Sequence, residues 1–394
     1  MQQIVKTDKI KKLFSNENLI RILFCYRILM VFIMNFFIKF FTNRGDTFKY
    51  LFANPLDVFK TYGFPLFLDD TYPVMFFIGA VHTLLRYEML THIVFSLLAF
   101  YGIKRFLDAV PEKNNKYYKI LILMMFSPSF TLWTSVAGKE TLIVFAMGIF
   151  SAEVVRFFSK EKFRISFLLI IALYLICRVK EQYIPAITLL IVYMKLRERI
   201  KLSWKADFFI LIAIFAANCF FIYFMRDTFA AYSLKVHNFF RVEARSTRER
   251  VFIEQYDFFK KMPYLLPLAL WGPTWSETKI SVLHLAVFLE NFLFLGVYIY
   301  LIKDSFIKIF KKFNIYYQWV FLSVMALGWL FIAHYIQGTM NPGSAIRYRT
   351  NLYLLVTALC FSVTCIKEKV FSEYNNEKNS ENTAVGNNLN ESEK

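Results

Sequence analysis

A chain of 394 residues is long enough for two soluble domains, yet 57% of it is hydrophobic, only 19% is charged and its mean hydropathy is +0.43. That balance excludes a water-soluble cytoplasmic enzyme, because too little polar surface is left to cover a globule of this size. Five cysteines (Cys25, Cys177, Cys219, Cys360 and Cys365) lie in apolar stretches without a CxxC pair, which excludes a disulfide-stapled secreted domain and a cysteine metal site. The formal charge of +18 is read first as loop charge that orients membrane helices, with no nucleic-acid partner.

Apolar stretches of spanning length recur between residues 19 and 366, so the chain reads as all-α and polytopic. Lys6, Lys9, Lys11 and Lys12 precede an apolar span over residues 23–41 that lacks a small-residue cleavage site, which predicts an uncleaved first helix and a cytoplasmic N-terminus. Four short basic gaps, at 104–119, 156–164, 195–205 and 303–312, are assigned to the cytoplasm. Spans then follow near 89–106, 119–132, 140–158, 165–177, 184–196, 206–224, 280–302, 316–336 and 350–366. With the first helix these make about ten, both termini inside. Residues 165–196 are short for two crossings, and the basic flanks favour a hairpin whose tip, RVKEQY, puts Arg178 at membrane depth. Residues 72–88 read as interfacial or re-entrant. Residues 1–366 thus form one transmembrane domain, and 367–394, with seven asparagines and four basic against six acidic residues, read as a disordered cytoplasmic tail.

Function is argued from the outer loops. In the first, Asp46 lies just past the first helix, where an acceptor hydroxyl at the membrane surface needs a general base; a turn-forming role for the GD pair is the plainer reading. In the gap SPSFTLWTSVAGKE, Lys139 and Glu140 open a helix, and a lysine opposes the helix dipole there unless it pairs with Glu140 or meets a phosphate. The large loop over about residues 225–279 carries nine basic against six acidic residues. Arg241, Arg245 and Arg248 are spaced for one face of an amphipathic helix, which either meets lipid phosphates or clamps a pyrophosphate. Trp271 and Trp275 mark an aromatic belt or a surface for stacking on a sugar ring. Arg347 and Arg349 open the last helix, against both the dipole and the orientation bias, which points to a bound anion. His237 in the large loop and His334 near the outer end of its span can move a proton or serve as buried polar groups. The sequence has no HExxH, GxxxxGK[ST], GxSxG or GxGxxG, so it signals no zinc protease, P-loop, serine hydrolase or dinucleotide site.

Taken together these residues resemble the O-antigen and capsule repeat-unit polymerases of bacterial polysaccharide clusters. The likeness is one of layout over the whole chain. Two patches add to it: Pro128, Ser129, Trp133, Lys139 and Glu140 are similar to a P-S-x3-W-x5-K-E turn, and Asn341, Gly343, Arg347, Tyr348 and Arg349 to an N-x-G-x3-R-Y-R closing patch. Asp46 followed by Tyr50 resembles the first-loop aspartate of the related C-type glycosyltransferases. The resemblance implies a multi-pass protein of the bacterial inner membrane that joins polyprenyl-pyrophosphate-linked oligosaccharides at the periplasmic face. It implies no cofactor and no metal, contacts with membrane lipids, and a chain-length regulator protein as partner. Asp46, Glu140 or His237 would then be the base; Arg178, Arg241, Arg245, Arg248, Arg347, Arg349, Lys139 and Trp271 would bind substrate. A C-type transferase using a polyprenyl-phosphate sugar is the first alternative, and a lipid-linked oligosaccharide flippase the second.

Overall fold

The computed structural model describes residues 15–41, 46–64, 71–111, 116–160, 162–200, 203–242, 248, 251–279 and 282–391. It is 86% helix, with no strand among the described residues. The helices in chain order are α1 (Asn16–Phe41), α2 (Asp46–Leu51), α3 (Pro55–Tyr62), α4 (Tyr72–Leu85), α5 (Glu88–Asp108) and α6 (Lys116–Met124). Next come α7 (Pro128–Trp133), α8 (Lys139–Lys160), α9 (Phe167–Val179), α10 (Ile184–Arg199), α11 (Trp204–Phe224) and α12 (Arg226–Val242). The last are α13 (Asp257–Lys260), α14 (Met262–Trp271), α15 (Trp275–Thr278), α16 (Val282–Lys311), α17 (Phe313–Met340) and α18 (Pro342–Glu391).

Among the described residues, seven helices are long and apolar enough to cross a membrane: α1, α5, α8, α11, α16, α17 and the part of α18 up to Ile366. Burial sorts them into centre and rim: the apolar window of α8 is 94% buried and that of α18 is 89% buried, against 11% for α11 and 17% for α16. The outer faces of α11 and α16 are therefore the ones built for lipid, with Phe220, Phe224, Phe292 and Leu293 exposed. At the centre α8 packs against α5 and α18. Gly102 and Gly148 allow the crossing of α5 and α8: a Cβ on Gly148 would lie 2.3 Å from the Gly102 carbonyl oxygen, so only glycine lets the two backbones meet there.

Three expected spans, 119–132, 165–177 and 184–196, form helices below membrane-spanning length. The stretch 119–132 is broken into α6 and α7, because Pro128 cannot donate to the preceding turn and the Ser127 hydroxyl caps a fresh helix by accepting from Phe130 N at 3.2 Å. Residues 165–196 fold out and back as α9 and α10. Lys195 Nζ returns to donate to the Phe163 carbonyl at 2.9 Å, while at the tip Lys180 Nζ lies 4.0 Å from the centroid of the Tyr348 ring. Helix α4, over the stretch read as interfacial or re-entrant, stays at one end of the bundle, where Thr71 meets Lys139 and His82 meets Thr91.

The helix ends gather into two sets. One holds Asp207, which accepts from Tyr193, Tyr317 and Gln318, linking α10, α11 and α17. The other holds Asp46, Glu140, Lys180 and Arg347; α2–α4 and α12–α15 lie at this same end of the bundle. Helices α12, α13 and α14, with the segment before α13, pack through Phe240, Phe258, Leu265 and Phe252 onto Tyr335 and Met340 of α17. Of the expected amphipathic helix through Arg241, Arg245 and Arg248, Arg241 lies in α12, residues 243–247 with Arg245 lie outside the described residues, and Arg248 has non-helical backbone. Helix α18 keeps its backbone ladder to Glu391, over the stretch whose composition predicts disorder.

Candidate functional site

The sequence NPGSAIRYR builds a strong helix start. Asn341 Oδ1 accepts from Gly343 N at 2.8 Å and Ser344 N at 3.2 Å, and Pro342 occupies the first helical position, where no N–H is needed. This fixes the second turn of α18 against the first turn of α8. Arg347 Nε then donates to Glu140 Oε1 at 2.8 Å, and Nη2 reaches Oε2 at 3.3 Å, a two-pronged pair that matches the planar guanidinium to the carboxylate. From the first turn of α2, Asp46 Oδ2 accepts from Arg347 Nη1 and Nη2, both at 3.4 Å.

The two carboxylates differ in a way that separates their roles. The Glu140 side chain is 4% exposed and that of Asp46 is 53% exposed. Glu140 is thus a buried counterion to Arg347, whereas Asp46 meets the guanidinium from its solvent-accessible side. Trp133 and Tyr348 each place a ring 5.9 Å from Arg347 Cζ. Lys180, also buried, covers the Tyr348 ring, and Lys139 Nζ donates to Thr71 Oγ1 at 2.9 Å. Tyr50 is buried nearby with its phenolic oxygen lacking a hydrogen-bond partner. Burial, and then the Asp46 and Glu140 carboxylates, push its pKa above the usual phenol range, so Tyr50 stays a proton donor. Arg347, Lys180 and Lys139 against Asp46 and Glu140 leave an excess of positive charge beside two aromatic faces. That combination suits an anion attached to a sugar or another flat apolar group.

The structure therefore brings Asp46, Glu140, Lys139 and Arg347 to one end of the bundle. The remaining sequence candidates are distributed differently. Arg349, two positions on from Arg347, points across α18, where Nη1 donates to the carbonyls of Leu270 at 2.6 Å and Gly272 at 3.3 Å. Arg248 is engaged by Glu277, at 2.7 Å from Nε and 2.8 Å from Nη2, and by the carbonyls of Gly338 and Thr339. It pins the end of α17 to α15. Arg178 is half-buried in the last turn of α9, one turn from Tyr174. His237 is buried on α12, and His334 Nε2 is 2.9 Å from the Ala269 carbonyl. Trp271 ends α14 and is 44% exposed, so one face remains open. Arg241 lies on the backbone of α12, and Arg245 lies outside the described residues.

Sequence reasoning missed Lys180 in favour of Arg178. The polar tip RVKEQY held the signal, but the break between α9 and the 3-10 turn Glu181–Tyr183 decides which basic side chain turns inward. Trp133 and Tyr348 were legible only as pattern letters. Among the described residues, no group of three or more His, Cys, Asp or Glu is placed to hold a metal ion. Comparison of the chain with family profiles, with curated proteins and with solved structures finds no match in any of the three.

Proposed function

We propose that the chain is a polysaccharide repeat-unit polymerase of the O-antigen type, acting on polyprenyl-pyrophosphate-linked oligosaccharides at the periplasmic face of a bacterial inner membrane. In this reading ten passes alternate across the membrane, both termini are cytoplasmic, and the Arg347 end of the bundle faces the periplasm. The observation that carries the reading is Arg347, held by a buried Glu140 on one side and an exposed Asp46 on the other.

Glycosyl transfer sets two demands that this arrangement can meet. The bond from the anomeric carbon to the pyrophosphate oxygen breaks as a bond to the acceptor hydroxyl oxygen forms, so negative charge grows on the departing pyrophosphate. Arg347 and Lys180 supply preorganised cations for it, and Glu140 keeps the guanidinium from turning away. The acceptor hydroxyl gives up its proton, and Asp46 is the carboxylate with the exposure to take it. Trp133, beside Arg347, offers an aromatic surface to a sugar ring.

Deleting the gene in its native host and separating the surface lipopolysaccharide on a gel tests the proposal. A ladder collapsed to one repeat unit, restored by the wild-type gene and not by Asp46→Asn or Arg347→Gln, is the expected result. Loss of every repeat unit would instead favour the C-type transferase or the flippase, and an unchanged ladder would remove all three for that polymer.

A further inference from the structure

On the opposite face of α18 from Arg347 lies an apolar slot of about 200 Å³ between α16, α17 and α18. From α18 it is lined by Ile346, Arg349, Tyr353, Val356 and Cys360, a helical stripe, with Leu295 of α16 across from it. The stripe from Ile346 to Cys360 runs about 21 Å at 1.5 Å per residue, against about 15 Å for the hydrocarbon of one leaflet. Trp271, Asn291 and Leu295 also line a second cavity of about 340 Å³ beneath the turn at Gly272 and Pro273, so the two share a wall near the Arg347 end of the bundle.

The slot is polar at one end only. There Arg349 Nη2 is buried without a hydrogen-bond partner, although Nη1 is satisfied by two carbonyls. Glu290, close enough to attract Arg349, uses its carboxylate on the Ser127 hydroxyl and the Ser129 N–H. A buried guanidinium nitrogen without an acceptor, at the head of a one-leaflet apolar groove, matches a phosphate joined to a hydrocarbon chain. Because Arg349 and Arg347 point to opposite sides of α18, the slot does not open onto the candidate site. We infer that it holds one acyl chain of a phosphate-headed lipid of the surrounding bilayer, with the phosphate drawn to Arg349. This inference stands apart from the reading of the Arg347 cluster.

The test uses the full-length protein in nanodiscs containing phosphatidylglycerol with a photoactivatable diazirine in its acyl chain, followed by peptide mapping. Labelling is expected near Leu295 and between Val356 and Cys360. Replacing the probe by a diacylglycerol of the same chain should lower that labelling about tenfold, the loss of one charge-assisted contact, while labelling at the exposed Phe220 is unchanged. Arg349→Gln should give the same selective loss, and if that variant fails to fold, the comparison of lipids on the wild type decides alone. Equal slot labelling by the two probes would overturn the inference. So would displacement of the phospholipid by a polyprenyl phosphate, which would assign the slot to a lipid-linked substrate.

Discussion

The Glu140–Arg347 pair gives the sharpest quantitative test, because its two acidic partners sit in different surroundings. Glu140→Ala leaves a largely buried guanidinium facing only Asp46 at 3.4 Å, through a side chain that is 53% exposed. Removing one partner of a buried ion pair costs about 3–5 kcal/mol, since the remaining charge is left uncompensated in a poor solvent for it. An exposed pair is worth about 0–1 kcal/mol, so Asp46→Asn should fall below about 1 kcal/mol. Unfolding of the purified protein by SDS in mixed micelles measures both. A double-mutant cycle with Arg347→Met isolates the pair, and the expected coupling between Glu140 and Arg347 is about 2–3 kcal/mol. If Glu140→Ala and Asp46→Asn shift stability equally, or the coupling vanishes, the division into a buried orienting carboxylate and an exposed reactive one is refuted. Activity should divide the other way: Asp46→Asn keeps the fold and abolishes polymer extension.

Other consequences can be checked independently. Gly148→Ala places a methyl group against the Gly102 carbonyl and should destabilise by about 1–3 kcal/mol in the same SDS assay, whereas Gly296→Ala, with open space around it, should be near neutral. Burial alone would raise the Asp257 carboxyl, but the Glu254 N–H, the Lys261 ammonium and the Ile253 N–H outweigh it and hold its pKa at about 2. The folded value lies below the unfolded one, so this contribution is complete above about pH 4 and lost as pH falls towards 2. Limited proteolysis of the segment near Ile253 should accelerate over that window in the wild type and lose that pH dependence in Asp257→Asn. Arg248→Ala strips Glu277 and two carbonyls of their shared donor and should speed cleavage of the α12–α15 cap while leaving the SDS unfolding of the helical core within about 1 kcal/mol. Cysteines introduced at Asp46 and Ser203 should label from opposite sides of sealed membrane vesicles, and labelling from the same side would overturn the proposed alternation.

Membrane character and helical class were legible in the chain itself, because hydropathy over a span-length window is a local sum and needs no knowledge of partners. The hairpin at 165–196 was legible for a related reason: the basic residues at both flanks belong together, and Lys195 does return to Phe163. Length alone failed at α6 and α7, where Pro128 and the Ser127 cap override the apolar run. The large loop misled more seriously. The spacing of Arg241, Arg245 and Arg248 satisfies a helix, yet the tertiary demand of Glu277 and the end of α17 takes Arg248 out of it.

The candidate site itself was half legible. Lys139 and Arg347 stood out as cations near a helix N-terminus, which the dipole disfavours, Glu140 as the carboxylate next to Lys139, and Asp46 as a carboxylate just past the first helix. That Arg347 joins residues 207 and 301 positions away, that Arg349 turns to the other face, and that Lys180 displaces Arg178 at the tip were decided only by packing. Positions two apart on a helix are separated by about 200°, so which of Arg347 and Arg349 meets a carboxylate depends on how α18 is set against α8. That setting follows from the close crossing of central helices and from a capped start at Asn341, neither of which a hydropathy or charge profile contains.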